Sequence, residues 1–182
     1  MMNCLQKLIT LLFLTFIPLG YALATPTALN ISELLGTQEQ DIYFGKDDFQ
    51  ISPAHTDWLM VPTPENSSVQ TQFINPKSSS QAKMTVRSET LEQDLSLLKY
   101  IGRSVRDYNR FGFEILSQRP LKINNQSAYL VDLKQNGSPI QLRQVLFKKD
   151  KTVVILTCSS HQESFKQELK ACNQIYRNFK WL

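Results

Sequence analysis

The chain has 182 residues, of which 42% are hydrophobic and 20% are charged, and its formal charge is +4. This length supports one globular domain with a sizeable core, and so mild a positive charge gives no argument for binding nucleic acid. The six glycines form no phosphate-binding loop and no dinucleotide fingerprint.

The first 24 residues have the pattern of a secretory signal peptide. Lys7 supplies the positive start, residues 8–17 form an apolar run, and Ala22-Leu23-Ala24 fits the small-residue cleavage pattern. The run is too short to span a bilayer comfortably, because a membrane helix needs roughly 20 apolar residues. We expect cleavage after Ala24, a periplasmic or secreted location, and a mature charge of +3 once Lys7 is lost.

Residues 25–46 are predicted to be a lead segment, and residues 47–182 a single α+β domain. Four short strands are expected at its start, at residues 49–52, 58–61, 69–74 and 82–87. The first ends at Pro53, because proline cannot donate to a strand ladder, and the third alternates apolar and polar side chains.

A long helix is predicted to follow. Thr90 and Gln93 have the spacing of a capping box, and Gly112 is well placed to end the helix. The apolar stripe of this helix is Leu91, Leu95, Leu98, Ile101, Val105 and Tyr108.

Four further strands are predicted at residues 113–123, 128–134, 140–147 and 153–158. Their short turns are Asn124-Asn125, the type I′ signal Asn136-Gly137, and residues 149–151. Such turns make the strands antiparallel neighbours. The last strand is apolar on both faces and needs cover on both. We therefore expect an antiparallel sheet of about six to eight strands with a long helix packed on each face, an α/β/α sandwich.

The second helix is predicted from Ser160 and Glu163, which have capping spacing. Its apolar stripe is Phe165, Leu169, Cys172, Tyr176 and Phe179. Cleavage of the signal removes Cys4 and leaves Cys158 and Cys172, and packing this stripe on the last strand brings the two together. An oxidising compartment then favours a disulfide; two separate buried thiols are the alternative. A metal site lacks a second ligand pair.

Candidates for catalysis are few. His55 near Asp57 has a composition suited to a metal or a general base, but a solvated loop histidine explains it more simply. His161 is expected to be exposed in the first turn of the second helix. No zinc-protease or nucleophile-elbow motif occurs, so we predict no catalytic residue, metal or cofactor.

A basic stripe is the more suggestive surface pattern. Lys99, Arg103, Arg106 and Arg110 recur at spacings of four, three and four residues. The second helix region adds Lys166, Lys170, Arg177 and Lys180. The first set is a candidate docking face for an acidic partner protein or anionic lipid headgroups; an ordinary solvated helix face, with Asp107 as a partial counter-charge, is the alternative.

The texture of residues 47–182 resembles the PsbP-like superfamily, which includes the DcrB-type envelope proteins. The residues that carry the resemblance are Phe49-Gln50-Ile51-Ser52-Pro53 followed by Trp58, the long helix from Leu91, Gln126-Ser127-Ala128-Tyr129, and the ending Asn178-Phe179. Gln126 and Ser127 stand where that family usually has a glycine. The resemblance implies an α/β/α sandwich and an accessory or binding role, and it transfers no functional residue.

We therefore expect a non-catalytic exported accessory protein that docks on an envelope or secreted protein complex. The alternative is a small-ligand or lipid-binding periplasmic module with a pocket between a helix and the sheet. A hydrolase using carboxylates around His55 is a third hypothesis. We expect no nucleic-acid partner and no transmembrane segment after signal cleavage.

Overall fold

The computed structural model describes residues 42–78 and 81–182. The predicted signal peptide, its cleavage site and most of the lead segment lie outside the described residues. The elements in the described ranges are β1 (Tyr43–Gly45), β2 (Phe49–Ile51), β3 (Leu59–Val61), β4 (Thr71–Ile74), β5 (Lys83–Thr90), α1 (Leu97–Arg110), β6 (Phe113–Ile123), β7 (Gln126–Gln135), β8 (Ile140–Lys149), β9 (Thr152–His161), α2 (Gln162–Arg177) and β10 (Lys180–Trp181).

The strands form two sheets, and the protein is a mixed α+β molecule. The larger sheet has seven strands in the order β3-β4-β5-β9-β8-β7-β6, and all of its pairings are antiparallel. The smaller sheet has three strands in the order β1-β2-β10. Because β1 lies within the predicted lead segment and pairs with β2, sheet-forming residues begin at least as early as Tyr43.

The position of β9 at the centre of the seven-stranded sheet explains why apolar and polar residues do not alternate in its sequence. Val154, Leu156 and Cys158 belong to one hydrophobic cluster, which also contains the buried apolar side chains of α2. Val153 and Ile155 belong to a second cluster, which contains the buried side chains of α1. Both faces of this strand are therefore removed from water, as a continuous apolar run requires.

Cys158 and Cys172 are joined in a disulfide, with the sulfurs 1.99 Å apart and the Cα atoms 6.1 Å apart. This is the pairing that the helical stripe of α2 predicts. Both residues are completely buried. The bond ties α2 to the middle of the seven-stranded sheet and closes a 14-residue separation in sequence.

An aromatic stack fixes the smaller sheet and the C-terminus. The Phe179 ring stacks on Phe147 of β8 with centroids 4.0 Å apart and on Phe49 of β2 at 5.6 Å. Trp181 of β10 meets Phe179 edge-on at 5.3 Å. A Cβ added to Gly45 would lie 2.2 Å from the Phe49 ring, so β1 can approach the stack only with glycine at this position.

A nearly buried ion pair crosses the strands beside α2. Arg143 of β8 donates from Nε to Asp132 Oδ1 at 2.7 Å and from Nη2 to Oδ2 at 2.9 Å. Ser117 donates to Asp132 at 2.8 Å, and Asn173 of α2 accepts from Arg143 at 3.4 Å. These hydrogen bonds to Asp132 raise the pKa of the Arg143 guanidinium.

The predicted start of the first helix is wrong. Thr90 is the last residue of β5, where it pairs with Thr152 of β9, and the Leu91 N–H donates to Lys151 O at 2.8 Å. Strand pairing thus holds the segment in which local spacing suggests a capping box. The helix begins at Leu97, and its N-cap is Ser96, whose hydroxyl accepts from the Lys99 N–H.

The predicted cap of the second helix is also wrong. Ser160 pairs with Gln141 as part of β9, and the N-cap is His161, which is exposed and makes no side-chain capping hydrogen bond. Extension of the β8–β9 ladder therefore delays the helix. Phe179 is buried as predicted but follows the end of α2.

Of the two predicted asparagine turns, Asn124-Asn125 matches its prediction and Asn136-Gly137 does not. Asn124 and Asn125 both have positive φ, at 50° and 63°, and join β6 to β7 directly. At Asn136-Gly137 only Gly137 is positive, at 71°, so this is not the predicted type I′ turn. The Ser138 N–H donates to Gln135 O at 3.3 Å across this turn, and the Asn136 N–H donates to Gly112 O at 2.8 Å.

Candidate docking face on helix α1

Helix α1 is held at both ends. The Lys99 N–H donates to Ser96 Oγ at 3.3 Å at its start. The Phe111 N–H donates to Asp107 O at 3.0 Å at its end, and Gly112 follows with φ of 76°. A positive φ is incompatible with continuing a right-handed helix, and glycine adopts it without the strain that a Cβ would bring. The predicted stop at Gly112 is therefore confirmed.

The inward side of α1 packs on the seven-stranded sheet. Tyr100 and Ile101 are buried among side chains that include Val131 of β7. The Tyr108 hydroxyl donates to Gln144 Oε1 of β8 at 2.6 Å. Burial raises the pKa of both tyrosines, that of Tyr108 to about 12. The helix is thus fixed in its rotation about its own axis.

The outward side of α1 carries the four predicted cations, and all four are exposed: Lys99, Arg103, Arg106 and Arg110. At about 100° and 1.5 Å per residue they occupy an arc of roughly 60° and a length of roughly 16 Å. We call this set the cation row. In the described ranges Arg110 is its only member with an ion pair, to Asp107 at 3.7 Å. The row is therefore a nearly unneutralised line of positive charge.

The second set of cations does not extend this row. Lys166, Lys170 and Arg177 are exposed on α2, and Lys180 is exposed in β10. Helix α2 packs against the other hydrophobic cluster, whose buried residues differ from those around α1. The two sets of cations therefore stand on different elements of the fold.

Two apolar side chains near the cation row were not anticipated as surface groups. Leu98 is 65% exposed, although its spacing places it in the predicted apolar stripe. Phe111 is 74% exposed, immediately after Arg110. The exposure of Phe111 could have been expected from its position between the last residue of the helix and the glycine that ends it. At that position the side chain does not belong to the buried face of the helix.

A hollow of about 370 Å³ lies beside the N-terminal half of α1. Its lining consists of Thr90, Leu91, Glu92, Gln93, Leu95 and Arg103. It combines a guanidinium, a carboxylate and apolar side chains, so it is a mixed surface rather than an apolar cavity.

The turn that contains His55 gives no geometric basis for the hydrolase hypothesis. His55 is exposed, with φ of 64°, and the carboxylate of Asp57 lies 3.4 Å from Lys77 Nζ in an exposed ion pair. Among residues 42–78 and 81–182, no group of three or more His, Cys, Asp or Glu is placed to hold a metal ion. Nor does any helix of the described residues have the length and apolar character to cross a bilayer.

The chain is similar in structure to several solved proteins. PsbP of the cyanobacterium Synechocystis (CyanoP) has a TM-score of 0.58 at 12% identity, with 81% of this chain and 95% of that chain covered. LpqN, involved in cell envelope biogenesis of Mycobacterium tuberculosis, has 0.58 at 11% identity, with 80% and 86% covered. PA94 of Pseudomonas aeruginosa has 0.53 at 17% identity, with 76% and 94% covered.

These likenesses define the class of fold. No family model matches the chain, and no curated protein matches it in sequence. At identities this low the similarity concerns the fold alone, and the chain has the PsbP-like fold that the pattern from Phe49 to Trp58 resembles.

Proposed function

We propose that this chain is a non-catalytic accessory protein that is exported and docks on a protein complex of the cell envelope through the outward face of α1. The single observation that carries the proposal is the cation row. Four exposed positive charges stand in one line on a helix, and among the described residues Asp107 pairs with one of them, Arg110. Such a line favours association with an acidic partner, because complementary charge raises the association rate and fixes orientation.

Export is the second part of the proposal. The signal pattern of residues 1–24, cleavage after Ala24 and the buried disulfide are mutually consistent, since disulfides persist in oxidising compartments. LpqN, one of the proteins with the same fold, is itself involved in envelope biogenesis. N-terminal sequencing of the mature protein from a periplasmic extract should begin at Thr25; an intact Met1 would refute export by cleavage.

The scaffold of the docking face also belongs to the proposal. The side chains of α1 and α2 lie in different clusters, which share the two faces of β9. We take this as one domain, residues 47–182 together with β1, in which a helix covers each face of the sheet. The layered arrangement leaves the far side of α1 free for a partner.

The test is capture of envelope proteins by the tagged mature chain. The double variant Arg103→Glu/Arg106→Glu reverses two charges at the centre of the cation row. It should no longer capture the envelope proteins that the natural chain captures. Lys166→Glu with Lys170→Glu is the matched control, because it makes the same charge change at exposed positions of α2. Equal capture by the natural chain and the Arg103/Arg106 variant would refute docking through α1.

A second candidate function is binding of a small amphiphile, and the hollow beside Arg103 is the observation that favours it. An amphiphile of suitable size would place its anionic head group at Arg103 and its apolar part against Leu91 and Leu95. Lysophosphatidylglycerol below its micellar concentration should then raise the melting temperature. Leu95→Trp should abolish that rise and Leu98→Trp, outside the hollow, should not; equal responses would refute the site.

A further inference from the structure

Gly102 is a glycine that the fold itself does not require. It lies in the middle of α1 and is exposed, and a Cβ placed on it would meet no heavy atom within 4 Å. Glycine inside a helix is less favourable than alanine because the unfolded chain gains freedom. The missing side chain therefore lowers stability and, in return, leaves a low point on the outer surface of α1.

The low point belongs to a seam along the helix. Leu98, Gly102, Val105 and Asn109 follow one another at spacings of four, three and four residues, which is the spacing of the contact seam between two paired helices. Leu98 and Asn109 are exposed and Val105 is half-buried. A glycine within such a seam lets another backbone approach closely.

The cation row runs directly beside this seam, one residue further along at each step. In helix pairs, charged residues at the positions that flank the seam form ion pairs with the partner and set its orientation. Lys99 and Arg106 stand at such flanking positions. Arg103 and Arg110 lie in line with them. The row therefore calls for carboxylates on the partner at a matching spacing. Asp107 lies on the far side of the row from the seam, about 140° from Gly102, so it does not repel an acidic partner there.

We infer that the partner presents an acidic amphipathic helix, which lies along α1 with its apolar side over Gly102 and its carboxylates against the cation row. This inference rests on the proposed docking role and names the chemistry of the docked segment.

A broad anionic membrane fits the surroundings less well than a narrow ligand. The segments at the two ends of α1 carry exposed acids, Glu92 and Asp94 before it and Glu114 after it. A flat bilayer that reached the cation row would also approach these carboxylates, whereas a single helix placed along the row would not.

The test uses a stapled helical peptide in which Glu recurs at the four-three-four spacing with Leu beside each Glu. A peptide of the same composition with the Glu positions scrambled is the control. Titration into the isotope-labelled mature chain should shift the amide resonances of residues 98–111 with the matched peptide, and binding should weaken with added salt. Absence of saturable shifts, or equal affinity for the scrambled peptide, would overturn the inference.

Gly102→Leu separates docking from folding. Leucine is a good helix former, Gly102 is exposed, and a Cβ at this position meets no heavy atom within 4 Å, so the variant should melt no lower than the natural chain. It should nevertheless bind the matched peptide at least about tenfold more weakly, because the side chain fills the low point. Unchanged peptide binding by Gly102→Leu would overturn the helix-in-seam geometry.

Two further results assign a failure to its source. If envelope capture depends on Arg103 and Arg106 but Gly102→Leu captures as well as the natural chain, docking through α1 stands and the helical partner is wrong. If vesicles of phosphatidylglycerol and phosphatidylcholine bind the natural chain but not the Arg103/Arg106 variant, and the matched peptide does not bind, the surface recognises lipid and the inference is overturned.

Discussion

The ion pair between Asp132 and Arg143 offers a quantitative test of the fold. Asp132→Ala removes the carboxylate that accepts two hydrogen bonds from the guanidinium, while the Arg143 side chain is 15% exposed. Its remaining partner is Asn173 Oδ1 at 3.4 Å. Breaking a buried pair costs about 3 to 5 kcal/mol. We expect about 3 kcal/mol, the low end, because the charge keeps some contact with water.

The assay is equilibrium unfolding in urea, with the disulfide intact. Asp107→Ala is the control, since it breaks an exposed ion pair on α1, and the free energy of unfolding should stay within about 0.5 kcal/mol of the natural value. Asp132→Leu with Arg143→Met should lose less stability than Asp132→Ala alone, because no charge is then left buried. A loss of stability in Asp132→Ala no larger than that in Asp107→Ala would show that the Asp132–Arg143 pair does not behave as a buried pair.

Three other predictions concern separate parts of the fold. Gly45→Ala should lower the melting temperature and Gly102→Ala should raise it, because an added Cβ at Gly45 meets the Phe49 ring at 2.2 Å and one at Gly102 meets nothing; shifts of equal sign would contradict this. Cys158→Ser with Cys172→Ser should cost about 3 kcal/mol in urea unfolding, as a closed loop of about 15 residues implies, and a reductant should then have no further effect on the variant. Alkaline unfolding should depend on Tyr108, whose pKa rises from 10.0 to about 12 on folding. The contribution of Tyr108 to the free energy of unfolding is complete below pH 10 and falls by about 1.4 kcal/mol per pH unit up to about pH 12, because this tyrosine ionises first in the unfolded chain. Tyr108→Phe should make the fall of stability with pH shallower. An unchanged pH profile would exclude this residue as a cause.

The proposed docking face depends on the rest of the molecule for its position. Helix α1 presents the cation row outward because Tyr100, Ile101 and Tyr108 hold its other side on the sheet. A partner at this face would meet cations on a helix that is already in place, which lowers the entropy lost on association.

Features set by local pattern were accessible from the sequence. Residues 153–158 are apolar without alternation, and this alone predicts a strand covered on both faces. The position of Cys172 in a helical stripe indicates its proximity to Cys158, and the spacing of Lys99, Arg103, Arg106 and Arg110 gives the cation row. Periodicity is a property of residues close together in sequence, so it can be recognised without knowledge of the fold.

Features that arise from contacts distant in sequence were decided only by the tertiary structure. Thr90 has the local chemistry of a helix cap, yet pairing with Thr152 keeps it in a strand. Asn136-Gly137 has the sequence of a type I′ turn, yet only Gly137 adopts a positive φ, and the Asn136 N–H donates to Gly112 O, which is remote in sequence. Hydrogen bonds between remote segments outweigh local preferences of about 1 kcal/mol or less, and for that reason element boundaries and the exposure of Leu98 required the folded chain.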